Sequence, residues 1–239
     1  MSTTVRAGAQ LPFDFHRDQS AVFDSYFAGG NEEVLGALRR LSALESPQSA
    51  YLWGPPGTGK SHLLQALCHA ASAGSDGAVA VSYLPLLEAM KHGPEICDGL
   101  ESCAMVCVDD LDSVAGNHAW ERALFALYNR LRDAGRTVVA SGTAPPRASP
   151  IALADLRSRL EWGLVYQLHP LSEEHKRGLL LERGRQRGLT LDPGVVDYVL
   201  RRHPRDVGSL CAFMERLDRA SLSAHRHVTI PFVRSLLDE

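Results

Sequence analysis

Two hydrophobic periods alternate along the first two-thirds of the chain, and one of them takes over the last third. Val34, Leu35, Leu38 and Leu41 recur at helical spacing and predict a helix over residues 31–44, with Asn31 placed to cap it. A short apolar run, Ala50 to Trp53, then enters a glycine-rich turn, and Leu63, Leu64 and Leu67 predict a helix over Ser61 to Ala71. Val79 to Leu84 and Ala104 to Val108 read as strands, the second ending in two aspartates. Trp120, Leu124, Leu127, Tyr128 and Leu131 line one face of a helix over 118–134, which Gly135 closes. Thr137 to Ala140 and Leu164 to Leu168 are two further strands. Strands alternating with helices predict a parallel sheet covered on both faces.

After Pro170 only the helical period remains. Ser172 starts a helix that Gly188 ends, and Asp192-Pro193 starts a second carrying Val195, Val196, Val199 and Leu200. Leu210, Phe213, Met214 and Leu217 mark a third, and Pro231 opens a short fourth. The pattern therefore predicts an α/β base followed by a small all-helical lid, with no repeat and no low-complexity tract. Boundaries fall at 1–16 for an extended leader, 17–170 for the base and 171–239 for the lid.

Composition narrows the class. Of 239 residues, 45% are hydrophobic and 22% charged, which suits a globular chain with a real core. No run of 18 apolar residues is present, and the polar start lacks an apolar signal region, so a cytoplasmic protein with no membrane attachment is expected. Net charge is −3: 13 basic and 18 acidic residues up to Pro170, 12 and 10 beyond it. That is not the footprint of an autonomous DNA-binding domain. The five cysteines form no CxxC pair and read as reduced thiols. Cys103 and Cys107 are four apart in an apolar run, which places them on one sheet face.

The chemistry concentrates at Gly54-Pro55-Pro56-Gly57-Thr58-Gly59-Lys60-Ser61, which fits G-x-x-x-x-G-K-[ST] between a strand and a helix. Glycines let backbone N–H groups turn inward around phosphate oxygens, and the helix start aims its positive end at the same anion. Lys60 is placed to reach β- and γ-phosphates, and Ser61 to ligate Mg²⁺. The strand Met105 to Asp110 supplies the acids: Asp109 for the Mg²⁺ shell, Asp110 to orient or deprotonate water. No Asn-Lys-x-Asp guanine motif is present.

Loop, acid-ended strand, arginine-rich element and helical lid together resemble the AAA+ ATPases. More narrowly, "YLWGPPGTGKSHLLQAL", "VCVDDLDSVAGNHAWERALFALYNRLRDAGR" and "DLRSRLEWGLVYQL" resemble the replication initiator DnaA and, closer still, the Hda family of DnaA-inactivating factors. The resemblance runs from about residue 8 to the end and implies ADP or ATP as ligand. It implies that Arg159 in "LRSRLEWG" is an arginine finger, with Arg157 the neighbouring candidate, and that Arg205 in "HPRDVGSL" is the sensor 2 arginine. Thr143 falls near the sensor 1 position, where the family more often has an acid or amide. Asp-Asp stands where AAA+ ATPases usually have Asp-Glu, which argues against fast intrinsic turnover.

The leader "GAQLPFDF" carries three large apolar groups in five residues, more than a free leader needs. Gln10, Leu11, Phe13 and Phe15 resemble the peptide that binds the DNA polymerase III sliding clamp; the competing reading docks Phe13 and Phe15 on the first helix. The implied partners are DnaA and the clamp, with DNA reached only through the clamp and homo-oligomerisation left open. The chain stops after the lid, where DnaA continues into a helix-turn-helix domain, so an adaptor that activates DnaA-bound ATP hydrolysis is expected. A self-sufficient ATPase acting as helicase loader or transposase helper, and a passive nucleotide-binding module, are the other two readings.

Overall fold

A computed structural model describes residues 18–75, 79–224 and 228–237, so the leader residues Gln10 to Phe15 lie outside it. The described residues separate into two compact units, one ending at Leu168 and the other beginning at His169.

In the first unit, α1 (Glu32–Leu41) precedes β1 (Ser49–Trp53), which leads into α2 (Lys60–Gly74). Then come β2 (Val81–Pro85), a single turn α3 (Leu86–Ala89), β3 (Met105–Asp109), α4 (His118–Asp133), β4 (Thr137–Gly142), α5 (Ala154–Leu160) and β5 (Leu164–Gln167). The five strands form one parallel sheet in the order β2-β3-β4-β1-β5. Strand side chains alternate between two cores, as period-two geometry requires. Val106, Val108, Val138 and Ala140 pack with Leu124, Leu127 and Leu131 of α4 on one face. Met105, Cys107, Val139 and Leu52 pack with Leu63, Leu64 and Leu67 of α2 on the other. Burial on both faces explains why β3 and β4 read as continuous apolar runs. β5 is the exception: it sits at an edge, and Leu164 and Val165 remain exposed.

Two local expectations are corrected. Cys103 does not share a face with Cys107. It precedes β3, in the core facing α4, whereas Cys107 lies in the core facing α2; the last turn of a 3-10 helix ends at Ser102 and shifts the register. Asn31 does not cap α1 with its side chain; its amide donates to the Ala28 carbonyl at 3.0 Å. Elsewhere the capping follows the sequence: Asn117 accepts from the Ala119 and Trp120 N–H groups, and the end of α4 closes with Gly135 and Arg136 N–H donating to the Arg132 and Leu131 carbonyls.

The second unit contains α6 (Glu173–Gln186), α7 (Pro193–Arg202), α8 (Val207–Ala224) and α9 (Ile230–Leu237). Ser172 and Asp192 cap the first two. Leu180, Val196, Val199, Leu210, Phe213, Met214, Leu217 and Val233 form its own core. Among the described residues no helix is long and apolar enough to cross a membrane. Cys68, Cys97, Cys103 and Cys107 are buried and Cys211 half-buried; burial pushes the Cys97 thiol up to about 12, so it stays neutral.

Candidate functional site

The loop from Gly54 to Ser61 begins where β1 ends, at the C-terminal edge of the sheet, and β1 lies between β4 and β5. Open α/β sheets bind ligands at this edge. Gly54 passes so close to the sheet that a Cβ there would sit 2.4 Å from the Leu168 carbonyl oxygen. Gly59 has φ +87°, and a Cβ on it would meet the Tyr26 ring at 2.7 Å. Tyr26 also donates its hydroxyl to the Thr58 carbonyl at 3.0 Å, so one ring buttresses the loop from behind. Burial, against the opposing Asn31 contact, pushes that phenol up to about 12, which keeps it a neutral donor.

Inside the loop, Thr58 donates its hydroxyl to the Pro55 carbonyl at 2.9 Å. The Lys60 ammonium donates to the carbonyls of Gly54 at 2.7 Å and Pro55 at 3.1 Å, and the residue is only 7% exposed. Burial pulls its pKa down, while Asp110, Asp109 and Asp112 pull it back toward charge. The α2 helix has a glycine at its N-cap and no side-chain cap there, so by helix geometry its first-turn N–H groups lack intrahelical acceptors. A concave loop, a buried cation and an uncapped helix start fit a diphosphate.

The acids come from β3. Asp109 is 2% exposed; its Oδ2 accepts from the Tyr83 hydroxyl at 2.7 Å, and its Oδ1 from the Ser141 hydroxyl and the Asp110 N–H. Three of its roughly four lone-pair positions are thus taken by protein donors, which leaves one for a metal-bound water. Asp110 sits in the left-handed region at φ 56° and is half-buried. Burial first, and then the charge of Asp109, raise its pKa. Asp112 accepts from the Thr143 N–H, and its other oxygen is buried without a hydrogen-bond partner. Thr143 thus meets the acid-bearing turn through its backbone. Ser61 follows Lys60 on α2, where its hydroxyl and the Asp109 water position would hold Mg²⁺.

The sequence reading overlooked Ser141, Tyr83, Tyr26 and Asp112. Ser141 was the findable one: a hydroxyl at the far end of a strand whose middle is apolar, 0% exposed, registered beside Leu52 at the loop's root. Tyr26 and Tyr83 carried no local signal, because their partners lie 32 and 26 residues away.

The two arginines of α5 behave differently. Arg157 donates to the Ile151 and Ala152 carbonyls and is committed to its own loop. Arg159 carries no carboxylate partner among the described residues; its guanidinium lies 3.9 Å from the Trp162 ring centroid and 5.5 Å from that of Phe125. The segment before α5 is tied down by Glu121, a fully buried carboxylate accepting from the N–H groups of Gly116, Ala152 and Leu153. Burial would raise its pKa, but those three donors reverse the effect and hold it below the usual range. In the helical unit, Arg205 donates to the Leu200 carbonyl at 2.9 Å and pairs with Glu173 at 3.4 Å.

A glycine loop gripping a lysine, an acid-ended strand one place removed from it across β4, and a parallel sheet with a separate helical unit define a P-loop AAA+ nucleotide-binding protein. A family model described as the bacterial DnaA ATPase domain matches residues 18–167, and the Hda lid domain model matches residues 173–237. The chain belongs to the Hda/DnaA-related AAA+ family. Domain III of the replication initiation protein DnaA from Thermotoga maritima is similar at 20% identity and TM-score 0.77, over 94% of this chain and 98% of that one. AMPPCP-bound DnaA from Aquifex aeolicus is similar at 22% identity and TM-score 0.68, over 82% of this chain and 64% of its own. The Thermotoga maritima RuvB Holliday junction branch migration motor follows at 14% identity and TM-score 0.65, over 87% and 69%. At these identities the likeness is one of fold.

Proposed function

We propose that this chain is an Hda-type negative regulator of replication initiation: a nucleotide-bound adaptor that promotes hydrolysis of ATP held by DnaA. The observation that carries the reading is the pairing of a DnaA-type ATPase base with an Hda-type lid in one chain. Gly54, Pro55, Gly57, Thr58, Gly59 and Lys60 hold the phosphates of ADP or ATP, and Arg205 and Thr143 are assigned to sense them. Ser61 and Asp109 hold Mg²⁺, which neutralises phosphate charge when bound. Arg159 is presented in trans to the triphosphate of DnaA; that no carboxylate among the described residues pairs with it, its guanidinium lying instead over the Trp162 ring, supports this role. Gln10, Leu11, Phe13 and Phe15 tether the chain to the DNA-loaded sliding clamp of DNA polymerase III.

Asp110, a half-buried carboxyl beside Asp109 just past the end of β3, favours a second reading, a self-sufficient ATPase that loads a helicase or serves a transposase. One assay separates them: ATP turnover by the purified chain alone, with clamp on DNA, and with clamp plus ATP-loaded DnaA. The adaptor reading expects turnover only in the third condition. Robust turnover by the chain alone would establish the self-sufficient ATPase, and no turnover anywhere would leave a passive nucleotide-binding module.

A further inference from the structure

Among the described residues, the contacts of the Arg159 guanidinium are aromatic faces. Its guanidinium stacks 3.9 Å from the Trp162 ring centroid and 5.5 Å from the Phe125 centroid, with its Nε buried and lacking a hydrogen-bond partner. A carboxylate would fix the same group more tightly, but would occupy its N–H donors and cancel its charge. Stacking fixes the plane of the guanidinium and leaves both intact.

The turn that sets Trp162 is itself constrained. The Trp162 N–H donates to the Arg159 carbonyl at 3.2 Å, a tight closure of α5 three residues on from the arginine. The next residue is Gly163, where a Cβ would sit 2.0 Å from the Ser49 carbonyl oxygen, so only glycine lets the chain pass this close to the start of β1. The turn is thereby pinned to the sheet. Trp162 is nevertheless 59% exposed, far more than a ring kept for core packing, while Trp120 is 3% exposed. The guanidinium of Arg132 also lies over the Trp162 ring, at 5.5 Å, and Trp162 lines a cavity of about 610 Å³ with Tyr128 and Arg136.

We infer that Trp162 is the positioning residue for Arg159: its exposed ring holds the guanidinium in the plane and at the place from which it reaches a partner's triphosphate. The inference rests on the trans role of Arg159 proposed above. Trp162 touches no phosphate and acts only through the arginine, so its removal lowers the rate at saturation and spares the encounter.

The test uses the full chain with clamp-loaded DNA and ATP-loaded DnaA, titrating the chain to saturation. Trp162→Leu is expected to lower the maximal stimulated rate about tenfold, the scale of one partly exposed cation–π contact. The half-saturating concentration is expected to stay within about twofold, since no recognised docking contact is lost. Trp162→Phe keeps a ring face and is expected to restore most of the rate. Equal loss in both variants, or no loss in Trp162→Leu, overturns the inference. Arg159→Ala runs beside them: an unaffected rate there refutes the trans role itself, whereas a lost rate with normal Trp162→Leu refutes only the positioning. A second readout needs no partner. The Trp162 emission, isolated as the difference between the chain and Trp162→Phe, is expected to shift when Arg159→Ala removes the stacked cation, and an unchanged spectrum overturns the contact.

Discussion

Lys60 and Arg159 are both cations of the α/β unit, and they are held in opposite ways. Lys60 lies inside a glycine loop, 7% exposed, with its ammonium on the Gly54 and Pro55 carbonyls and three aspartates near enough to steady its charge. Arg159 is half-buried, stacked on Trp162 and Phe125, with no carboxylate partner among the described residues. The first environment orders a compact ammonium for a ligand that enters the loop. The second fixes a planar fork on ring faces, with no carboxylate among the described residues to neutralise its charge. A cation that serves its own site can be wrapped in acceptors, but one that serves a neighbour must be held by something that does not compete for it.

Reciprocal substitutions break the comparison most sharply. Arg159→Ala is expected to lower partner-stimulated hydrolysis by about a thousandfold, the scale of a finger supplied in trans, while ADP affinity by calorimetry stays unchanged. Lys60→Ala should do the reverse at its own site, weakening ADP binding about a hundredfold. If both variants lose ADP binding equally, the division between inward and outward cations is wrong.

The tether behind Arg159 gives a smaller effect. Glu121→Ala strands three backbone donors and is expected to cost about 2 kcal/mol in urea unfolding, with Glu121→Gln recovering part of it. Its carboxyl is held below the usual value of 4.5 in the folded chain, so this contribution is complete above that pH. It fades as pH falls through the folded pKa. A stability gap between the chain and Glu121→Gln that persists unchanged well below pH 4 would contradict the assignment. The smallest expected effect is that of Tyr26→Phe, which removes one hydroxyl from the Thr58 carbonyl and should weaken ADP binding about fivefold, measurable by the same calorimetry.

Much of the site was legible because its signals are contiguous. Eight consecutive residues place the loop, and a strand ending in Asp109 and Asp110 names the acids, since both features depend on local backbone chemistry. The supporting residues were not legible. Tyr83 and Ser141 become donors to Asp109 only once β2, β3 and β4 are laid side by side. Cys103 was misplaced for a related reason: a 3-10 turn ending at Ser102 moved the start of β3 and with it the side-chain parity.

Periodicity and short-range motifs determined, by themselves, the alternation of strands and helices, the change to helices after Pro170, and the identity of the phosphate loop. These follow from dihedral preferences and hydrogen bonds that close within a few residues. The order of the strands, the donors that orient Asp109 and the aromatic faces that hold Arg159 were decided only by the tertiary structure. They depend on which surfaces meet across tens of residues, and packing settles that by burying both faces of the sheet at once.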